Sequence, residues 1–390
     1  MTRPVLPGGT IGVLGGGQLG RMLALSARRA GYRLHVLTDS AESPAAQVAD
    51  RHVVASYDDV DAVAEFASGV DVITIEFENV SSVALEAAGR ITPARPSAGA
   101  LHVSQNRLRE KEFLRANGFA HARFVAVSDA AVLQELAPSW FPFVAKSAGF
   151  GYDGKGQAVV AGPDGLPAAE ALLTGGPIVL EERVELQAEL SVVAARSASG
   201  RVVSYPPFIN HHREGVLDTT LFPWPSGDAP MGLPAGATWP RLVAEAQDAA
   251  AEVLALLDFV GVACVEFFVT DGDELLVNEI APRPHNSGHL TIEACSMSQF
   301  ELQWRAVCGL PLGSVRPLAP AAMVNLLGDV WNAGEPRWER ALEQGGVSLH
   351  LYGKAEPRPG RKMGHLTAVA GTLEEAERAA LAARASLART

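Results

Sequence analysis

Cysteine, aromatic residues and runs of positive charge are all scarce in this chain. Among its 390 residues there are only three cysteines. Cys264, Cys295 and Cys308 are an odd number without a Cys-x-x-Cys spacing, which argues against both a disulfide framework and a zinc site and leaves reduced core residues. Aromatics make up 6% of the chain, the formal net charge is −12, and no basic run interrupts it. A general nucleic-acid binder needs the opposite balance, although a few local lysines and arginines suffice for a small anionic substrate. No apolar run reaches the roughly 18 residues of a membrane span, and the N-terminal stretch lacks a basic segment followed by a long apolar one. The expectation is a soluble, cytoplasmic protein with no nucleic-acid or membrane partner. Internal repeats and low-complexity tracts are also missing. What is present is a large apolar fraction, 48%, enough for sizeable cores in a chain long enough for two or three domains.

Residues 10–14 form a short apolar strand that runs into Gly15-Gly16-Gly17-Gln18-Leu19-Gly20, a helix to about residue 30, and a second strand ending in Thr38-Asp39. By the letter this is the Gly-x-Gly-x-x-Gly dinucleotide fingerprint with an acid about 20 residues on. A glycine-rich first turn also serves other ligands in doubly wound domains, because a helix N-terminus can hold any phosphate or carboxylate. The run Glu76-Phe77-Glu78-Asn79-Val80 leaves carboxylates at a strand's C-terminal end, the ligand side of an open α/β sheet; for Glu78 a solvated loop is an equal alternative. Residues 104–118 read as a helix capped by Ser104 and stopped at Asn117-Gly118. Arg107 and Lys111 share one of its faces, and such residues usually lie in water.

Residues 146–157, Lys-Ser-Ala-Gly-Phe-Gly-Tyr-Asp-Gly-Lys-Gly-Gln, place four glycines within eight positions beside two lysines, between two strands. Backbone N–H groups and lysines suit phosphate oxygens, so the stretch reads as a hairpin able to close over a nucleotide, the plain alternative being a flexible surface hairpin. It is not a Walker A loop. Further on, the strand through Glu181 leads by Glu182-Arg183-Val184 to Glu189, a linker whose backbone could meet an adenine edge, with a carboxylate for ribose hydroxyls. Adjacent His211 and His212 cannot both face a metal from a regular strand. The strands 262–269 and 274–280, joined by a turn at Asp271-Gly272, carry Glu266 and Glu279 on one face. A two-residue loop makes them diagonal neighbours and a four-residue loop makes them directly opposite. Two like charges there repel unless a cation joins them, and carboxylates with nucleotide phosphates are the usual ligands of Mg²⁺.

Taken together, these stretches resemble the ATP-grasp enzymes, and among them the N5-carboxyaminoimidazole ribonucleotide synthetases of purine biosynthesis. The matching pieces are Gly15 through Met22, Glu76-Phe77-Glu78-Asn79-Val80, Gly151-Tyr152-Asp153-Gly154-Lys155-Gly156-Gln157, Asn278-Glu279-Ile280-Ala281-Pro282-Arg283-Pro284-His285-Asn286-Ser287-Gly288-His289, His350-Leu351-Tyr352-Gly353-Lys354 and Gly360-Arg361-Lys362-Met363-Gly364-His365. The last two are particular to the synthetases. The resemblance implies an α/β chain with an ATP-grasp fold: an N-terminal Rossmann-like, doubly wound domain over residues 1–103, an ATP-grasp domain over 104–315 with a lid at about 120–184, and a small C-terminal subdomain over 316–390. It implies ATP contacts from Arg107, Lys146, Gly151 through Gln157, Glu181, Glu182, Arg183, Val184, Glu189, His212, Asn278 and Glu279. It implies Mg²⁺ on Glu266 and Glu279. The ribonucleotide would meet Gln18, Leu19, Glu76, Asn79, Tyr152, His285, Asn286, Ser287, Lys354, Arg361 and Lys362. Asp153, Lys155, Arg283 and His285 would be catalytic, with Asp153 and His285 both open as general base.

The chain departs from the family pattern at Asn106, where aspartate is usual, at Ser147-Ala148, often basic, and at Leu186, usually aromatic; these touch affinity more than reaction type. The implied reaction is ATP- and bicarbonate-dependent carboxylation of an aminoimidazole ribonucleotide through carboxyphosphate, by a homodimer. The alternatives are another ATP-grasp ligase, such as a formate-using glycinamide ribonucleotide transformylase or a biotin carboxylase, an NAD(P) oxidoreductase built on Gly15 to Gly20, and a non-catalytic nucleotide-binding regulator.

Overall fold

A computed structural model describes residues 3–149, 156–223, 233 and 238–388. Three sheets organise the described residues. In the first, strands run in the order Arg51–Val54, Arg33–Thr38, Thr10–Leu14, Val72–Ile75, all parallel. Thr10–Leu14 and Val72–Ile75 are buried along their whole length, as central parallel strands covered on both faces must be. Helix Gln18–Arg29 packs Leu19, Met22 and Leu23 into one apolar layer, and Val63, Phe66 and Leu85 fill the other. This is the doubly wound domain that the glycine turn predicted.

The second sheet has nine antiparallel strands. Its order runs Leu275–Ala281, Gly261–Thr270, Leu186–Arg196, Phe208–Arg213, Val216–Phe222, Ala321–Leu327, Lys362–Val369, Val347–Leu351, with Val202–Ser204 alongside Leu186–Arg196. The strands after residue 316 therefore do not build a sheet of their own. Thr219 pairs with Val324, so the C-terminal part extends the central sheet edge to edge. Helix Thr238–Leu256 and helix Leu373–Ser386 share the apolar layer on one side of it. A capping box of Thr372 and Glu375 opens the latter. The third sheet is small: Phe124–Val127, Ile178–Glu182, Phe143–Ser147, Gln157–Val160, all antiparallel. The last two strands are the hairpin arms expected around the glycine-rich stretch, with Lys146 opposite Gln157.

One helix boundary differs from the expectation. Residues 104–118 are not one helix capped by Ser104. A short helix, Ala98–Ser104, is capped by Ser97 and ends there; helix Arg107–Ala116 then starts from Asn106, whose side chain accepts from the Arg109 N–H at 3.1 Å. The break comes from the chain's pairing with the hairpin. Asn106 bridges to Gly149, and the Arg107 N–H donates to the Ala148 carbonyl at 2.7 Å. Asn117 and Gly118, with φ +76°, close the helix as expected.

Candidate active site

The small sheet faces the large one across a cleft of about 920 Å³, ample for a nucleotide. On the small-sheet side, positive charge gathers around one buried carboxylate. Lys146, at the end of its strand, donates to Glu181 Oε2 at 2.8 Å. Lys111 reaches the same oxygen at 3.5 Å, and Arg107 lies 3.9 Å from Oε1. Burial alone would push the Glu181 carboxyl up, but Lys146, Lys111 and Arg107 together hold it at about 2. Burial drags the Lys146 ammonium down, and Glu181 only partly offsets this. Both lysines are on Glu181 Oε2, while Oε1 has no hydrogen-bond partner. Lys111 corrects the solvent-facing reading: it is fully buried, and its ammonium also donates to the Asn278 carbonyl at 2.9 Å. Glu110, one residue earlier, is buried and accepts the Ile280 N–H at 2.8 Å. Sequence reasoning missed Glu110 and undervalued Lys111. Their spacing from Arg107, three and four positions, was the available signal.

On the large-sheet side, Glu266 and Glu279 are directly opposite each other. This is the placement expected for a four-residue loop, but it is reached with a shorter one. Thr270 and Glu274 close a three-residue loop, in which Asp273 takes φ +59°, and the register then shifts by one between Glu266 and Phe267. Asn278 is the extra residue of that bulge, a device that re-aims side chains. Glu279 meets Arg107 at 3.2 Å, and Glu266 meets His285 Nε2 at 3.1 Å. Burial works against the Glu266 carboxylate, yet His285, His212 and Lys362 hold it at about 2. Asn278 Oδ1 is buried with no hydrogen-bond partner. Arg283 grips Glu78 through two nitrogens, at 2.5 and 3.0 Å, which removes the solvated-loop reading of Glu78. His212 approaches Glu189 at 2.7 Å, and the adjacent His211, on the opposite face of the strand, is exposed.

The first domain contributes its glycine turn, but the turn already holds an anion of its own. Glu76 accepts from the Gly17 N–H at 2.6 Å and the Gly20 N–H at 3.0 Å, where a dinucleotide pyrophosphate would sit. Burial pushes the Glu76 carboxyl up, against the pull of those two N–H groups, Arg283 and Lys354. A methyl group on Gly17 would come within 2.6 Å of Glu76 Oε1. The glycines therefore make room for a carboxylate of the chain, and the dehydrogenase reading loses its phosphate seat.

Most predicted residues among those described line this one cleft: Gln18, Leu19, Glu76 and Asn79 from the first domain, Arg107, Lys146, Gly156, Gln157 and Glu181 through Val184 from the small-sheet side, and Glu189, His212, Glu266, Asn278, Glu279, Arg283, His285, Asn286 and Lys362 from the large sheet and the segment that follows its strand Leu275–Ala281. Glu182 is exposed and pairs with Arg123 at 3.5 Å. Three predicted residues are not on the wall. Ser287 is fully buried behind His285. Lys354 donates to the Lys362 carbonyl at 2.7 Å and sits over the Tyr352 ring; Arg361 donates to the Glu356 carbonyl at 2.8 Å. The roles assigned to Gly151, Tyr152, Asp153, Gly154 and Lys155 lie outside the described residues.

Known families match the chain in the same order. Residues 9–105 match the ribonucleotide synthetase preATP-grasp domain, residues 112–300 the ATP-grasp domain, and residues 321–379 the phosphoribosylaminoimidazole carboxylase C-terminal domain. The N5-carboxyaminoimidazole ribonucleotide synthase of Brucella melitensis is 43% identical over 93% of this chain and 97% of its own. The chain belongs to the N5-carboxyaminoimidazole ribonucleotide synthase family. It is accordingly an ATP-grasp ligase, and the oxidoreductase reading is set aside. Solved synthases share the architecture. That of Staphylococcus aureus, complexed with ADP, superposes with a TM-score of 0.89 at 34% identity, covering 98% of this chain and 99% of its own. That of Aspergillus clavatus, in complex with ADP and 5-aminoimidazole ribonucleotide, has a TM-score of 0.84 at 32% identity, covering 97% and 98%.

Proposed function

We propose that this chain uses ATP and bicarbonate to carboxylate the amine of 5-aminoimidazole ribonucleotide, giving N5-carboxyaminoimidazole ribonucleotide, ADP and phosphate. The observation that carries the reading is the two-walled cleft, with Arg107 and Lys146 on one wall and Glu266 and Glu279 in register on the other. The synthase relatives crystallised with ADP and with the ribonucleotide support the same substrates.

Bicarbonate is a poor electrophile, so an oxygen of it first attacks the γ-phosphorus of ATP. That O–P bond forms as the bond to the bridging oxygen breaks, and ADP leaves. Arg107 and Lys146 place positive charge where the phosphate oxygens gain it. The ribonucleotide amine then forms the C–N bond, either directly on carboxyphosphate with loss of phosphate or on CO₂ released from it; the amine proton passes to a base. Carboxyphosphate is unstable in water, which gives the glycine-rich hairpin the task of closing the cleft. Glu76, with Lys354 close enough to act on its charge, marks the ribonucleotide end. Asp153, Lys155 and Tyr152 are assigned to the reacting centre on the family resemblance.

Mg²⁺ fits the opposed pair. Glu266, Glu279 and the unpartnered Asn278 Oδ1 are hard oxygen donors on residues that line the same cleft, the kind this ion takes together with nucleotide phosphates. When bound there, Mg²⁺ supplies charge that screens the phosphate oxygens. A cytoplasmic homodimer is proposed on the same family resemblance; a monomer mass by light scattering would remove that assembly. Among the described residues no helix is long and apolar enough to cross a membrane.

ADP release measured with and without each co-substrate tests the reaction. Dependence on both bicarbonate and 5-aminoimidazole ribonucleotide is expected; release indifferent to the ribonucleotide would sink the proposal.

A further inference from the structure

Two polar side chains that do not reach the cleft hold His285 from behind. Ser287 Oγ lies 2.8 Å from His285 Nδ1, and the Ser287 backbone N–H donates to the same nitrogen at 3.4 Å. A backbone N–H can only donate, so this longer contact favours a lone pair on Nδ1, with the closer Ser287 hydroxyl as the stronger constraint. The buried hydroxyls behind impose the same polarity. Ser287 Oγ accepts the Ser191 hydroxyl at 2.8 Å, Ser191 Oγ accepts the Asn210 amide at 2.9 Å, and Asn210 Oδ1 accepts the Thr220 hydroxyl at 3.2 Å. Ser287 therefore has its own proton to give. The neighbouring Cys264 sulfur is a weak acceptor and does not compete with an imidazole nitrogen. On the other side of the ring, Nε2 lies 3.1 Å from Glu266 Oε1.

Gln299 holds the backbone of the same residue. It is fully buried; its Oε1 accepts the His285 N–H at 2.9 Å, and its Nε2 donates to the His285 carbonyl at 2.7 Å. A methyl group on Gly288 would come within 2.5 Å of Gln299 Oε1, so glycine there leaves space for the clamp.

We infer that Ser287 and Gln299 are positioning residues of the site, fixing His285 as the Nε2–H tautomer with that N–H aimed at Glu266. His285 is then a hydrogen-bond donor towards the cleft and not its resting base. A proton placed on Nδ1 would oppose two donors. The inference rests on the reading of the cleft as the carboxylation site.

The tautomer can be read without turnover. In ligand-free enzyme labelled with ¹⁵N-histidine, with His285 assigned by comparison with His285→Gln, long-range NMR couplings are expected to show Nε2–H. An Nδ1–H ring would overturn the inference. In Ser287→Ala a mixture of tautomers is expected, with kcat for ribonucleotide-dependent ADP release lower by about tenfold and KM for ATP unchanged, the loss of one hydrogen bond. Wild-type tautomer and wild-type kcat in that variant would also overturn it. Should Ser287→Ala fail to fold, Ser191→Ala interrupts the chain one link further back. It should lower kcat about threefold, and an unchanged kcat and tautomer would count against the inference in the same way. A wild-type protein showing Nε2–H but no ribonucleotide-dependent ADP release would overturn the function proposed above while upholding the tautomer.

Discussion

Lys111 shows how far a residue's role can depart from its local pattern. On the helix it is one more charged position in an Arg-Glu-Lys-Glu run, yet it is fully buried between Glu181 and the Asn278 carbonyl. Lys111→Met should therefore destabilise the ligand-free protein by about 2 kcal/mol in chemical unfolding, since it leaves a buried carbonyl and part of a buried charge unanswered. Because Lys111 is not on the cleft wall, KM for ATP should change little. Its partner Glu181 makes a prediction in pH. The unfolded carboxyl titrates at about 4.3, and the folded one is held at about 2. Its contribution is present in full above the unfolded value and is lost as pH falls through the folded one. Wild-type stability should thus fall between about pH 4.5 and 2 more steeply than that of Glu181→Gln, measured by urea midpoints across that range. At the reacting end, Glu279→Gln and Glu266→Gln should each lower ribonucleotide-dependent turnover by about a hundredfold or more with the fold retained by circular dichroism, as loss of a charge-stabilising group does. Near-normal ADP release in either variant would remove the metal assignment.

At the scale of elements, the glycine turn and the paired strands were both visible in the sequence, but their final geometry was not. The pattern Gly15 to Gly20 does open a helix after a strand. Which anion sits on that helix start was decided by Glu76, 59 positions from Gly17 in sequence. Gly17→Ala should lower the melting temperature, because the added methyl displaces Glu76, at a cost of about 1–3 kcal/mol. Gly31, whose φ is +85° but whose added Cβ would meet only Pro7 Cβ at 3.7 Å, is the comparison for backbone strain alone. In the strand pair, alternation correctly put Glu266 and Glu279 on one face. The loop length and the bulge at Asn278 were hidden, because a three-residue turn followed by a bulge restores the register that a four-residue turn would set.

For the whole molecule, the decisive arrangement is that the last strands add to the central sheet while touching the first domain. Gln47, in the first domain, donates to the Gly353 carbonyl at 2.7 Å, and Arg21 supports Gln47 at 2.9 Å. Gly353 has φ +75° and precedes Lys354, so this contact sets where that ammonium lies relative to Glu76. Gln47→Ala should raise KM for the ribonucleotide about three- to tenfold, leaving KM for ATP unchanged in the same ADP-release assay. Equal effects on both would place the contact's influence elsewhere.

Sequence alone determined the doubly wound first domain, the hairpin, the carboxylate pair and the family, because each rests on short-range periodicity or on contiguous residues. Tertiary structure alone decided that Glu181 binds three cations, that Glu76 fills the glycine turn, and that Ser287 and Gln299 stand behind His285. The Glu181 and Glu76 contacts join residues far apart in the chain, and although Ser287 lies two positions from His285 and Gln299 fourteen, no local spacing shows which polar groups turn inward together. They are fixed by burial, which makes each charged or polar group find a partner wherever the fold brings one within reach.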